Sequence, residues 1–239
     1  MEKQESTHDW KGNKNIKCVI LCAGKGTRLI PHSLDIPKPM TIICEKPLLG
    51  HIVDYWKKYT NNFVFVVGYK KEQIIEYVKS MDIDYEFVEQ KEQKGLAHAL
   101  YQAKDVVGEN FIVILGDCLI TGDIHIPENM TNGVGMWQNH NPIYMKENFS
   151  IEHNNNIIHR MVEKPENSPT TSRCGMGIYF FNKDIFNYIR TANTTDITAI
   201  MQQMIDGGKK FTPVIFNGHY ININYPQDIK EAENNLQNR

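Results

Sequence analysis

The sequence predicts an α/β fold: a mixed, mostly parallel central sheet flanked by helices in a three-layer α/β/α arrangement. Three observations predict it. Short apolar runs at 16–22 (interrupted by Lys17), 63–67 and 111–115 read as strands buried on both faces. Segments of helical period separate them, the alternation expected of βαβ units. Glycine and polar residues follow each run, and sheets of this kind gather ligands at the carboxyl ends of their strands.

In chain order, the run at 16–22 is the first strand. Pro47 then opens a helical segment, 48–59, in which Leu48, Leu49, Ile52, Val53, Trp56 and Tyr59 repeat at helical spacing. Gly68 stops the strand at 63–67, and a helix follows with Ile74, Ile75 and Val78 inward. A strand at 85–88 precedes Gly95, which starts a helical segment running to Ala103. The strand at 111–115 ends at Gly116 and Asp117. Beyond it the texture changes. Residues 136–137, 149–152 and 157–162 look antiparallel, with a hairpin at Asn154, Asn155 and Asn156. A buried strand returns at 177–181, helices follow at 184–190 and 196–206, and a late strand at 211–216 precedes a closing helix at 228–236. The loops after Leu21, Val67, Val88 and Leu115 are expected to ring one crevice.

A chain of 239 residues can bury one good core, and no linker rich in Gly, Pro or Ser divides it. Residues 16–239 are therefore expected to form one domain behind a flexible polar tail, 1–15. Lys plus Arg (26) nearly balances Asp plus Glu (28), so no long-range field favours nucleic acid or an anionic membrane. No run approaches the roughly 20 apolar residues that span a bilayer. The first 14 residues lack the apolar stretch of a secretory signal. Five cysteines, odd in number and scattered, offer neither zinc spacing nor a disulfide framework. A reduced, cytoplasmic protein without a structural metal is expected.

The most informative stretch follows the first strand: Leu21, Cys22, Ala23, Gly24, Lys25, Gly26, Thr27, Arg28 and Leu29, with Pro37-Lys38-Pro39 ten residues on. Glycines let the backbone approach an anion, amide N–H groups point at it, and Arg28 and Lys38 supply charge. The loop lacks the Lys-Ser/Thr ending of a Walker motif. Thr27, Arg28 and Leu29 replace the x-x-Gly of the dinucleotide fingerprint. Polyphosphate is the ligand this pattern suits.

With Lys38-Pro39, the string resembles the signature of sugar-1-phosphate nucleotidyltransferases, and the resemblance extends over about 16–236. It implies a Rossmann-like nucleotide-diphospho-sugar transferase fold. It also implies condensation of a nucleoside triphosphate with a sugar 1-phosphate, giving a nucleotide sugar and pyrophosphate. Leu21, Ala23, Gly24, Lys25, Gly26 and Thr27 would bind the nucleotide, with Gln90 and Gly95 reading its base. Gln90 favours UTP or dTTP, because an amide offers both donor and acceptor to an imide edge. Arg28, Lys38 and Lys164 would be the catalytic cations. Glu163, in Glu163-Lys164-Pro165, would hold sugar hydroxyls, and Gly177 and Tyr179 would line the sugar pocket. Asp117 would bind Mg²⁺. Taken alone, Asp117 reads equally as a turn aspartate, and Gly177 as a buried-strand glycine at a close approach.

Two departures bear on the chemistry. Where the family carries a second metal-binding aspartate, this chain has Tyr220-Ile-Asn-Ile-Asn-Tyr-Pro226, offering Asn222 or Asn224. Asn148-Phe149 stands where the family has an aromatic residue followed by glycine. The length leaves no room for the β-helix extension of some relatives, so acetyl transfer is not expected. Two alternatives stay open: a cytidylyltransferase for phosphocholine or a similar phosphorylated alcohol, and a catalytically silent nucleotide-sugar-binding subunit. A glycosyltransferase is disfavoured, since Asp82-Ile-Asp84 precedes its strand. No nucleic acid or membrane partner is expected; a homo-oligomer is compatible with the sequence.

Overall fold

The computed structural model describes residues 10, 16–29, 35–128, 130–138 and 140–237. The first half alternates strands and helices. Strand β1 (Lys17–Leu21) leads to a two-strand ribbon, β2 (Ile42–Ile43) and β3 (Lys46–Pro47), then α1 (Leu48–Trp56), β4 (Asn62–Val67) and α2 (Lys71–Lys79). Strand β5 (Asp84–Glu89), α3 (Leu96–Gln102) and β6 (Asn110–Leu115) complete it. The second half is richer in strands: β7 (Cys118–His125), β8 (Asn132–Trp137), α4 (Pro142–Glu147), β9 (Phe149–Asn154), β10 (Ile157–Glu163) and β11 (Arg173–Asn182). Helices α5 (Ile185–Thr191) and α6 (Ile197–Asp206), strand β12 (Phe211–Asn222) and helix α7 (Pro226–Gln237) follow.

The main sheet runs β5-β4-β1-β6-β11-β8-β12-β7, with the β9–β10 hairpin attached to β11. It is mixed, as expected. Strands β5, β4, β1 and β6 are parallel, β11 is antiparallel to β6 and β8, and β12 is parallel to β8. Alternation along the strands builds two cores. Cys18, Ile20, Phe63, Phe65 and Val67 face one, with α1 and α2; Val19, Val64 and Val66 face the other, with α3 and α6. Each fully buried Phe or Ile contributes roughly 1.5–3 kcal/mol. That burial outweighs the modest helix preference of these segments.

The connections also locate the site. From β1 the chain moves to β4 and β5 on one side, then returns past β1 to β6 on the other. The reversal leaves a crevice at the carboxyl ends of β1 and β6, where Leu21 and Leu115 are in register. Gly116 makes the closeness possible: a Cβ there would lie 2.7 Å from Leu21 O.

Some elements depart from expectation. Strand β7 was not expected, because Thr121, Gly122 and Asp123 interrupt its apolar run. Six-residue α4 is too short to show a period; Pro142 and the Asn141 cap, accepting from Ile143 N at 3.0 Å, start it. The late strand runs on to Asn222, its second half held by β7. The expected asparagine hairpin is present, with Asn155 and Asn156 at φ 47° and 60°. The loop after Val67 packs behind the β1 loop, Tyr69 N donating to Ala23 O at 3.1 Å, and does not line the crevice. Most of the expected tail lies outside the described residues. Trp10 within it is 1% exposed, edge-on to Phe180, and donates Nε1–H to Met130 O at 2.7 Å. A loose tail is thus corrected at this residue, where a large ring is buried with its polar atom satisfied. All five cysteines are free thiols. Among the described residues no helix is long and apolar enough to cross a membrane.

Candidate active site

A cavity of about 720 Å³ opens at the crevice. Arg28, Lys38 and Lys164, Leu21, Ala23, Gly24, Gly26 and Thr27, Gln90 and Gly95, Glu163, Gly177 and Tyr179, and Asp117, Asn222 and Asn224 all line it. Of the residues expected at the site, Lys25 alone is not on the wall; it is exposed on the loop.

Lys38 is the electrostatic centre. A short 3₁₀ turn over residues 38–40, opened by Pro37, carries it inward to 8% exposure. Its ammonium donates to Asp117 Oδ2 and Asn224 Oδ1, each at 2.9 Å. Asp117 sits just past β6, and Asn224 lies 107 residues later along the chain, past the end of β12. Strand pairing unites them: Cys118 opposes Asn222, and Ile223 N donates to Asp117 O at 2.9 Å. Asp228 fixes the turn, accepting from Asn224 N and Tyr225 N at 2.7 Å.

Asn222 is engaged differently. Its Oδ1 accepts from the Tyr220 hydroxyl at 2.7 Å and the Cys118 thiol at 2.9 Å, and its amide donates to Asn148. Burial, then Asp117 beside it, pushes the Cys118 thiol well up, so it stays protonated and can donate. Both ends of Asn222 therefore have protein partners, whereas Asn224 and Asp117 converge on one positive charge. The Lys38 ammonium itself lies between the two oxygens; by donor type, one carboxylate and one amide oxygen are groups Mg²⁺ takes when phosphate and water complete its shell. Among the described residues no group of three His, Cys, Asp or Glu could form a closed cage.

The opposite wall carries Glu163 and Lys164 at the end of β10. Lys164 has a left-handed backbone, φ 43°, held by its N–H donating to Asn148 O at 2.7 Å. Such strain in a non-glycine residue costs of order 1 kcal/mol or more, and it concentrates at functional positions. Glu163 Oε2 accepts from the Thr198 hydroxyl at 2.9 Å. Desolvation by burial raises the Glu163 carboxyl and Asp196 adds to it, while Thr198 and Lys164 oppose the rise. Tyr179, 3% exposed, stacks on Phe149 behind this wall.

A third wall comes from the loop after β5 and the start of α3. Gly95 has φ 90°, and a Cβ there would lie 2.8 Å from Thr195 Oγ1. Both conformation and contact exclude other residues. Gln93 ties this loop to the first one, donating to Ala23 O at 2.9 Å.

Sequence reasoning missed the segment 195–198, which lines the cavity where Asp196 caps α6 by accepting from Thr198 N at 2.8 Å. Its cap pattern is visible in sequence, but nothing local says that this helix begins at the cavity. Thr198→Val should raise the Glu163 pKa further, because the hydrogen bond from the hydroxyl lowers it; a ¹³C titration of the Glu163 carboxyl reads the shift. An unmoved titration would detach Thr198 from Glu163.

Comparison with known proteins gives a consistent picture. Residues 17–239 match the family described as nucleotidyl transferase. The chain is 35% identical over 226 residues to the bifunctional protein GlmU of Methanocaldococcus jannaschii, covering 91% of this chain and 53% of that protein. It thus spans about half the length of the curated relatives it first matches. It is 30% identical over 240 residues to the UTP–glucose-1-phosphate uridylyltransferase AglF of Haloferax volcanii, covering 93% of this chain and 97% of that one. A solved UDP-glucose pyrophosphorylase in complex with UDP-glucose superposes with TM-score 0.77 at 24% identity, over 93% of this chain and 98% of that one.

Proposed function

The chain belongs to the nucleotidyl transferase family, and we propose that it condenses UTP or dTTP with a sugar 1-phosphate, giving a nucleotide sugar and pyrophosphate. The carrying observation is one cavity that holds a glycine-rich anion loop, three cations and the paired oxygens of Asp117 and Asn224. The full-length similarity to a UTP–glucose-1-phosphate uridylyltransferase supports UTP and a hexose 1-phosphate as the first pair to test.

An oxygen of the sugar phosphate attacks the α-phosphorus in line. One P–O bond forms, the bond from the α-phosphorus to its bridging oxygen breaks, and pyrophosphate leaves with that oxygen. A phosphate monoester needs little activation, so catalysis is positioning and charge neutralisation. Arg28 and the amides of 24–27 hold the departing pyrophosphate. Lys38 has three N–H donors; two bond Asp117 and Asn224, and the third serves an α-phosphate oxygen. Lys164 orients the attacking phosphate, and Glu163 accepts from sugar hydroxyls. Asp117 and Asn224 would hold Mg²⁺, which supplies neutralisation of phosphate charge. Five unpaired thiols suit a reducing cytoplasm.

The test is pyrophosphate release with Mg²⁺, setting UTP, dTTP and CTP against sugar 1-phosphates and phosphocholine. Release with a uracil or thymine nucleotide and a sugar 1-phosphate is expected. Release only with CTP and phosphocholine would establish the cytidylyltransferase instead. Nucleotide-sugar binding without release would make the chain a silent binding subunit. Arg28 is exposed, with no ion-pair partner among the described residues. Arg28→Ala should therefore cut turnover about a hundredfold, with the unfolding midpoint nearly unmoved. Unchanged turnover would remove Arg28 from the mechanism.

A further inference from the structure

Gln90 is 5% exposed, on the third wall of the cavity, between β5 and α3. Two neighbours decide which end of its amide points where. Gly95 O lies 3.2 Å from Nε2, and a carbonyl oxygen only accepts, so the NH₂ end faces it. The same NH₂ lies 3.0 Å from His98 Nδ1, which must then accept, placing the ring proton on Nε2. The ring Nε2 also lies 3.3 Å from the amide nitrogen of half-buried Gln102, which already donates to His98 O at 3.0 Å. The shorter contact, to buried Gln90, fixes the tautomer. Both N–H groups of Gln90 are thereby used. Its Oε1 has no hydrogen-bond partner among the described residues.

We propose that His98 is a positioning residue for nucleobase choice: by accepting at Nδ1 it holds Gln90 so that only an acceptor meets the base. The inference rests on the nucleotidyl-transfer reading and names its base class. Uracil and thymine carry a hydrogen on N3, which a fixed Oε1 accepts. Cytosine N3 is itself an acceptor, so the fixed amide sets acceptor against acceptor. Turning the amide to suit cytosine sacrifices the bonds to Gly95 O and His98 Nδ1 and sets the amide oxygen against the Gly95 carbonyl, which only accepts. His98 thus acts through Gln90 without touching the nucleotide.

Three forms of the protein test this: wild type, His98→Leu, which removes the acceptor, and His98→Asn, whose Oδ1 can stand near the position of Nδ1. Binding of UTP and CTP is measured by calorimetry, beside pyrophosphate release. The expected result is a preference for UTP in the wild type that narrows about tenfold in the leucine variant, the effect of one hydrogen bond, and recovers in the asparagine variant. An unchanged ratio in folded His98→Leu overturns the proposal. So does a loss that asparagine fails to restore, because bulk and not the acceptor would then matter. If the leucine variant does not fold, ¹⁵N spectra of the wild-type imidazole decide: a proton on Nδ1 overturns the inference, and one on Nε2 supports it. Binding with the expected ratio but no pyrophosphate release would defeat the transferase reading alone. Binding of neither nucleotide would defeat both.

Discussion

Replacing Asp117 by asparagine should lower kcat/KM by about a thousandfold, the size seen when a group stabilising transition-state charge is removed. Among the described residues Asp117 is the one carboxylate in contact with Lys38, and the remaining contact, Asn224, is a neutral amide. The substitution leaves Lys38, 8% exposed, without an ion-pair partner among the described residues. Unfolding free energy should therefore also fall, by about 1–3 kcal/mol, measurable by urea denaturation. The reciprocal change, Asn224→Asp, places a second carboxylate beside Lys38 and should lower the Mg²⁺ concentration for half-maximal rate. Asn222→Asp should not, since its side chain is committed to Tyr220, Cys118 and Asn148. A lowered Mg²⁺ requirement in Asn222→Asp and not in Asn224→Asp would exchange the two assignments.

Lys164 gives the second large effect, and its sign in stability is unusual. Lys164→Ala and Lys164→Gly should both lose at least a hundredfold in kcat/KM, the scale of a lost electrostatic contact to a reacting phosphate. Glycine within a strand or helix is ordinarily less stable than alanine by roughly 0.5–1 kcal/mol. Here the backbone has φ 43°, which alanine tolerates poorly and glycine freely. Lys164→Gly should therefore be more stable than Lys164→Ala by about 1 kcal/mol, read as a higher urea midpoint. Alanine emerging as the more stable would show that the left-handed backbone is not maintained. Full activity in either variant would remove the ammonium from the chemistry.

Legibility differed between the walls of the cavity. The anion loop was readable because its information is local: strand, glycines, Thr27 and Arg28 within one turn of chain. Gly116-Asp117 was readable because five apolar residues precede it and define a strand end. Glu163 and Lys164 followed from the resemblance. Thr198 was not readable, because its role depends on α6 starting beside the end of β10. His98 carried no signal either. It looks like one polar residue on a helix, and it acquires a role only from Gln90 lying 3.0 Å away.

The alternating strands and helices, the parallel half of the sheet and the glycine-rich loop after β1 were legible in the chain alone. These follow from apolar period and from residues adjacent along the chain. Strand order and contact geometry were decided only by the tertiary structure. The two edges of the asparagine question show why. Asn222 and Asn224 are two residues apart, so either fits a sequence pattern. Pairing of Cys118 with Asn222 buries the Asn222 side chain in a hydrogen-bonded network, while the turn held by Asp228 delivers Asn224 to Lys38 and Asp117. Which oxygen meets the charge is a matter of distance in space, and no local pattern encodes it.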